Sequence, residues 1–274
     1  MSATRSNPRK LSPSRNNHVL RDSPKTADFD PRNMKTPLAV WCRSDLGAEL
    51  NGATVSKWLD MSGNGRDFSQ STAGEQPTFS QSGLGQRPEL AWDDDRMTGS
   101  DLYAMLADKG EWTIFVVMGH GWQDSSSGGA GTDYSQGPNV LTARENVGYI
   151  GICILNVSSG GFGGGIYNAG YKNTIPETAG KIGQGDPAIF ALYSDSGGIK
   201  SRQNGVDGTT GAAADLVSTA TTLQIGDASD NNHASDYYDG PLSEVMIFDG
   251  TLDSGEFRQV EQYLADRYDV RLNG

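Results

Sequence analysis

Cysteine and histidine are scarce in this chain of 274 residues: Cys42 and Cys153 stand far apart, and His18, His120 and His233 are scattered. That is too little for a disulfide framework or a zinc cluster, so both cysteines read as buried thiols. No run of 18 apolar residues occurs, which leaves no candidate membrane span. The apolar residues Leu11, Val19, Leu20 and Phe29 are dispersed through residues 1–37. A cleaved export signal needs a continuous apolar stretch of about 7–15 residues, so none is expected, and the protein reads as made in the cytoplasm and not exported by a cleaved signal. The Gly-x-Ser-x-Gly elbow, the glycine-rich phosphate loop and the paired-histidine zinc motif are also missing.

Charged residues make up a modest 20% and the net charge is −12, but the charge is unevenly divided. Residues 1–37 hold eight basic side chains (Arg5, Arg9, Lys10, Arg15, Arg21, Lys25, Arg32 and Lys35) against Asp22, Asp28 and Asp30, a net of +5 that leaves −17 for the remainder. The same stretch has five of the eleven prolines (Pro8, Pro13, Pro24, Pro31 and Pro37), each of which removes a backbone donor and opposes helix. Residues 1–37 therefore read as an extended basic arm with nothing to contribute to a core. Stretched at roughly 3.1 Å per residue it would reach on the order of 100 Å. Three uses compete. Nucleic-acid binding is disfavoured because no Tyr or Trp interleaves the charges. An organelle transit peptide is opposed by the prolines. Docking along other protein subunits suits a segment that needs a partner to become ordered.

After Pro37 the texture changes. Glycine is abundant, 36 residues in all, and short apolar runs alternate with Gly, Asn and Asp, the pattern of an antiparallel β-sandwich. Thr113–Met118, Ile150–Leu155 and Ala188–Tyr193 are continuous apolar runs and predict buried central strands. Ile199–Gln203 leads through Asn204-Gly205 to Val206, a strand, tight turn and strand. Gly160–Gly165 predicts a flexible loop or a place where chains approach closely. Asp253 with Glu256 forms a capping box ahead of Phe257, Val260 and Leu264, so residues 254–268 should be a helix with that stripe packed on the sandwich.

Several stretches carry a family resemblance: Trp41, Trp58–Gly65, Gly85–Asp93, Trp112–Met118, and above all Gly240–Asp249, followed by Leu252 and by Tyr263-Leu264-Ala265-Asp266-Arg267-Tyr268 of the terminal helix. In order and texture they resemble the laminin G-like, concanavalin A-like lectin and glucanase superfamily, in the versions common among phage structural proteins. The match covers residues 38–118 and 186–272. It implies an all-β fold, a concanavalin A-like jelly-roll β-sandwich spanning 38–274 with a C-terminal helix, preceded by the arm. Where the family has a Phe-Asp/Asn-Gly turn, this chain has Trp92-Asp93-Asp94-Asp95.

The resemblance also directs attention to particular side chains. Asp60-x-Ser62-x-Asn64-Gly65 imitates half of a calcium loop, but position twelve, which needs a bidentate Glu, is Ser71. Asp60 and Asn64 then read as turn caps, and Asp93–Asp95 as a solvated acidic turn. Asp227, Asp230, Asp236 and Asp239 precede the last strand, where such folds bind calcium or sugars, and they are the candidate calcium ligands against a solvated-loop alternative. Trp122, Tyr134, Tyr237 and Tyr238, with Asn232 and His233, offer aromatic faces and polar groups for a glycan, or equally loop anchors. The acid pair of the family's glucanases, E-x-D-x-x-E, does not occur, and Glu244 and Asp249 are spaced wrongly for it. The chain is thus expected to be no enzyme but an accessory protein of a phage-like particle. Its arm would dock to capsid or tail proteins and its sandwich would be displayed on the virion surface, as a homo-oligomer, toward host polysaccharide. A free lectin and a glycan-cleaving enzyme are the alternatives.

Overall fold

A computed structural model describes residues 29–100, 106, 109–119, 139–142, 151–157, 161–167, 171–174, 185–212, 222–226 and 238–274. Strands are numbered along the chain and pair antiparallel throughout. The first sheet runs β1 (Leu38–Arg43), β17 (Gly240–Phe248), β8 (Trp112–Gly119), β13 (Pro187–Asp195), β14 (Gly198–Gln203) and β15 (Val206–Asp207). The second runs β2 (Ala48–Asn51), β3 (Thr54–Trp58), β4 (Phe68–Ser69), β7 (Met97–Ser100), β16 (Thr222–Ile225), β9 (Asn139–Thr142), β10 (Gly151–Val157), β11 (Gly161–Tyr167) and β12 (Tyr171–Thr174). A corner joins them: β5 (Thr78–Ser80) pairs with β3 and with β6 (Glu89–Trp92), which continues onto the first residues of β17. The chain is an all-β sandwich closed by one C-terminal helix.

Two of the three continuous apolar runs, Thr113–Met118 and Ala188–Tyr193, are explained by what covers the first sheet. Side chains alternate along a strand, so Ile114, Val116 and Met118, Ala188, Phe190 and Leu192, and Val245 and Ile247 enter the core between the sheets. Phe115, Val117, Ile189, Ala191, Met246 and Phe248 face the other way, into a second cluster with Phe257, Val260, Leu264 and Tyr268. That second cluster is the underside of α2 (Ser254–Tyr268), the helix that follows the short α1 (Ser44–Gly47). A strand covered on both faces needs no polar residue. The helix begins as its sequence predicts: Asp253 accepts from the backbone N–H groups of Gly255 and Glu256, and Glu256 accepts from that of Asp253. The tight turn is also as expected, with Asn204 at φ 49° and Gly205 at φ 84° between β14 and β15.

Two expectations need correction. The glycines of 160–165 do not form a loop, since Gly161–Tyr167 is strand β11, paired on both sides. The ladder uses backbone groups alone, and β11 comes within 8 Å, Cα to Cα, of β14 in the other sheet. A close approach of chains, the alternative expected for this run, is therefore what is seen, although β12, which has no glycine, comes within the same distance of β14. Nor is the whole arm without a core contribution. Phe29 and Met34 pack on the outer cluster, the Phe29 ring lies 4.9 Å from that of Tyr263, and Thr36 donates through N and Oγ1 to Glu256, each at 2.8 Å. Arg32 pairs with Asp30 at 2.6 Å and sits over the Trp41 ring, so it is committed within the chain, whereas Lys35, 3.8 Å from Asp253, is 84% exposed. The other arm cations, Arg5, Arg9, Lys10, Arg15, Arg21 and Lys25, lie outside the described residues.

Candidate functional site

The second sheet differs from the first in what its outer face carries. Phe68, Met97, Leu223, Ile225 and Leu141 belong to the core between the sheets, so alternation turns Ser69, Thr98, Gln224 and Thr142 to the opposite face. Strand pairing then brings these four into register: Ser69 opposite Thr98, Thr98 opposite Gln224, and Gln224 opposite Thr142. Lys57 of β3 continues the row beside Ser69, with its ammonium 3.5 Å from Asp67. The result is a band of hydroxyl and amide groups crossing five strands, one residue about every 4.8 Å. It grades from exposed Ser69 to Thr142, which is fully buried. Within it, the Gln224 side-chain oxygen is buried and accepts no hydrogen bond from the described residues, although the residue as a whole is partly exposed. Buried polar atoms are nearly always partnered, and an unpartnered one calls for an explanation; among the described residues the same holds for Trp58 Nε1, Trp92 Nε1, Ser201 Oγ, Ser243 Oγ and Arg267 Nε.

This band was not singled out by the sequence reading. Phe68-Ser69, Met97-Thr98 and Leu223-Gln224-Ile225 do alternate, and that signal marks the outward residues strand by strand, but only the register assembles them. Of the residues proposed for glycan contact, Trp122, Tyr134, Asn232, His233 and Tyr237 lie outside the described residues, as do Asp227, Asp230 and Asp236 of the calcium candidates. Tyr238 must be withdrawn as a stacking platform: it is fully buried, and its hydroxyl donates toward the carbonyl oxygens of Gly119 and Pro241 at 2.7 and 2.8 Å. It anchors the entry to β17, and burial pushes its phenol well above the usual range. Asp239 is partly exposed, and burial together with the nearby Asp93 and Asp94 raises its pKa. Among the described residues no group of three or more His, Cys, Asp or Glu is arranged to hold a metal ion.

The other carboxylates have structural duties. Asp60 accepts from the backbone N–H groups of Ser62 and Arg66, the turn-capping role expected of it, and also from that of Trp41, whereas Asn64 caps no nearby N–H and instead donates its side-chain amide to the carbonyls of Leu38 and Ala39 on β1. Asp93 and Asp94 are exposed, but Asp95 is not part of a solvated turn: it is 7% exposed and accepts from the N–H of Asp93. Burial, with the adjacent acids, pushes its carboxyl up to about 6. Glu244 is 1% exposed beneath α2, where Trp41 Nε1 and the hydroxyls of Tyr268 and Tyr263 donate to it at 2.6, 2.8 and 3.1 Å. Its carboxyl is raised by burial despite those donors. Cys42 is a buried thiol, likewise raised by burial.

No protein-family model matches the sequence, and no curated protein matches it. Solved structures do share the fold. The binding domain of Paraclostridial Mosquitocidal Protein 1 superposes with a TM-score of 0.59 at 10% identity, over 83% of this chain and 52% of that one. Domain 4 of AbnA, a GH43 extracellular arabinanase from Geobacillus stearothermophilus in complex with arabinotriose, gives 0.55 at 14% identity, over 84% of this chain and all of that one. A Trypanosoma rangeli sialidase gives 0.52 at 12% identity, over 82% of this chain but only 32% of the sialidase. The chain thus spans the whole of the arabinanase domain, about half of the toxin domain and a third of the sialidase. At such identities the likeness is one of fold, and the fold is that of the jelly-roll, lectin-like β-sandwiches.

Proposed function

We propose that this chain is a non-catalytic glycan-binding module, carried as an accessory subunit of a phage-like particle by its basic N-terminal arm. The observation that carries the binding half is the polar band on the second sheet, with its unpartnered Gln224 oxygen. Sugars are recognised through directional hydrogen bonds, and a row of Ser, Thr and Gln side chains held by a rigid sheet supplies them in fixed positions. The structure of AbnA domain 4 with arabinotriose supports the reading, because a fold-mate of matching size has been seen with an oligosaccharide. The particle half rests on the +5 charge and proline content of residues 1–37 and on the resemblance of the sequence to versions of the superfamily found among phage structural proteins. Capsid or tail proteins are the proposed partners, in a homo-oligomeric display.

Binding is tested by titrating the full chain over a glycan array and following the hits by calorimetry. Saturable binding without release of reducing ends is expected. Reducing-end release from any bound glycan would make the chain an enzyme and end the proposal.

A further inference from the structure

The edge strands β1 and β2 are treated in opposite ways. The outer edge of β1 is filled by the turn after β3: the Trp41 N–H donates to Asp60, the Trp41 carbonyl accepts from the Met61 N–H, and the carbonyls of Leu38 and Ala39 accept from Asn64. β2, at the end of the second sheet, pairs among the described residues with β3 alone. Ser56 is an extra residue in β3, so Val55 and Trp58 both face the core, and opposite residues share a face. Leu50, opposite Val55, therefore lies on the core side of its sheet, yet it is 54% exposed; Leu46, in α1 just before the strand, is 56% exposed. No other large apolar side chain among the described residues is left exposed. The Glu49 carbonyl is turned toward β3, where Ser56 Oγ donates to it at 3.2 Å. By alternation the backbone groups of Ala48 and Leu50 are turned to the open side. An apolar strand edge of this kind is a template for pairing with another chain.

The geometry points to a second copy of this chain as the occupant: β2 pairs antiparallel with its own copy across a two-fold axis at Leu50, joining the two second sheets into one. Because opposite residues share a face, an axis perpendicular to the sheet must pass through a residue and not between two. At Glu49 it would oppose two carboxylates, with their backbone groups turned away. At Ala48 the ladder would run at once into the helical residues of α1. At Leu50 the outward backbone groups of the two copies meet, leucine lies against leucine, and each Glu49 faces Asn51 of the other copy. A four-residue strand with two leucines offers less than the roughly 1,200 Å² that specific, stable interfaces bury. The pairing therefore belongs to high local concentration, such as display on a particle supplies. The inference rests on the homo-oligomeric display proposed above, whose contact surface it names, and is independent of glycan binding.

Sedimentation of the full chain at rising concentration should show a reversible dimer. Since each copy carries −12, added salt screens their repulsion and should strengthen it. Leu50→Lys sets two ammonium groups across the axis and should weaken the dimer at least about tenfold. The urea midpoint should not move, because that side chain is already more than half exposed. Leu50→Cys places two Cα atoms about 5.5 Å apart, within reach of a disulfide, whereas Glu49→Cys places them about 7–8 Å apart, beyond it. Under oxidation the first should give a covalent dimer, and the second, like the unsubstituted chain, should not. A dimer that survives Leu50→Lys would place the contact elsewhere, and one that weakens as salt rises would place it on the charged arm. Either result overturns this interface and leaves the homo-oligomeric display standing. A chain that stays monomeric up to millimolar concentration would remove both.

Discussion

Removing the Glu244 carboxylate should unfasten α2 from the sandwich. A bulge opposite β8 places Glu244 where the alternation of β17 would otherwise aim a side chain into the core: Met118 faces Leu242 and Val117 faces Glu244, with Ser243 as the extra residue. The carboxylate therefore emerges under the helix, where Trp41 of β1 and Tyr263 and Tyr268 of α2 all donate to it, and Arg267 lies 3.4 Å away. Glu244→Ala leaves three buried donors without an acceptor. Each orphaned group costs about 1–3 kcal/mol, partly recovered where water enters the space, and removing one partner of a buried polar network typically costs about 3–5 kcal/mol in all. Against a total stability of about 5–15 kcal/mol, that is a large loss. Urea unfolding followed by tryptophan fluorescence should show the midpoint falling with little change in slope. An unchanged midpoint would mean that the helix is held by its apolar stripe alone.

The pH dependence of the same site separates two accounts of it. Burial raises the folded-state pKa of Glu244 above its unfolded value, so the protonated carboxyl is the form the fold favours. Its contribution is then complete below the unfolded value of about 4.3 and is lost as pH rises through the folded value. Glu244→Gln does not titrate. The stability advantage of the native chain over Glu244→Gln should accordingly be greatest in acid and shrink toward neutrality. An advantage that grows with pH would show that the donors from Trp41, Tyr263 and Tyr268 outweigh the burial and hold a carboxylate.

Leu264 is fully buried in the cluster under α2, and Leu264→Ala should cost about 2–5 kcal/mol by the same urea assay; no change would make the helix peripheral. A chain beginning at Phe29 should melt like the full chain. One beginning at Leu38 should lose about 2–4 kcal/mol, because it forfeits the packing of Phe29 and Met34 and both Thr36 bonds to Glu256. Equal melting of the two truncations would show that the segment from 29 to 37 adds nothing to the fold.

How much of this was legible in the sequence depends on the range over which each feature is specified. The α2 cap, its apolar stripe and the Asn204-Gly205 turn were all readable, because each is fixed by residues within a few positions of one another. The doubly covered strands were readable as well: Thr113–Met118 has no polar alternation because both faces meet apolar neighbours. The choice between loop and close approach for the glycine run, and the role of Tyr238, were not, since a glycine run that suits a loop suits a crowded ladder equally. A tyrosine between acidic loop residues looks exposed until Gly119, distant in sequence, supplies its acceptor. The polar band lies at the far end of that scale. Ser69, Thr98, Gln224 and Thr142 come from four strands spread over much of the chain and meet only through register. A slip of one residue in any of those strands would send its polar side chain into the core and an apolar one to the surface. The cost of burying Gln224 or Thr98 unpaired, set against that of exposing Leu223 or Met97, is what fixes the register. The apolar residues that hold the core together are thus also the ones that align the band.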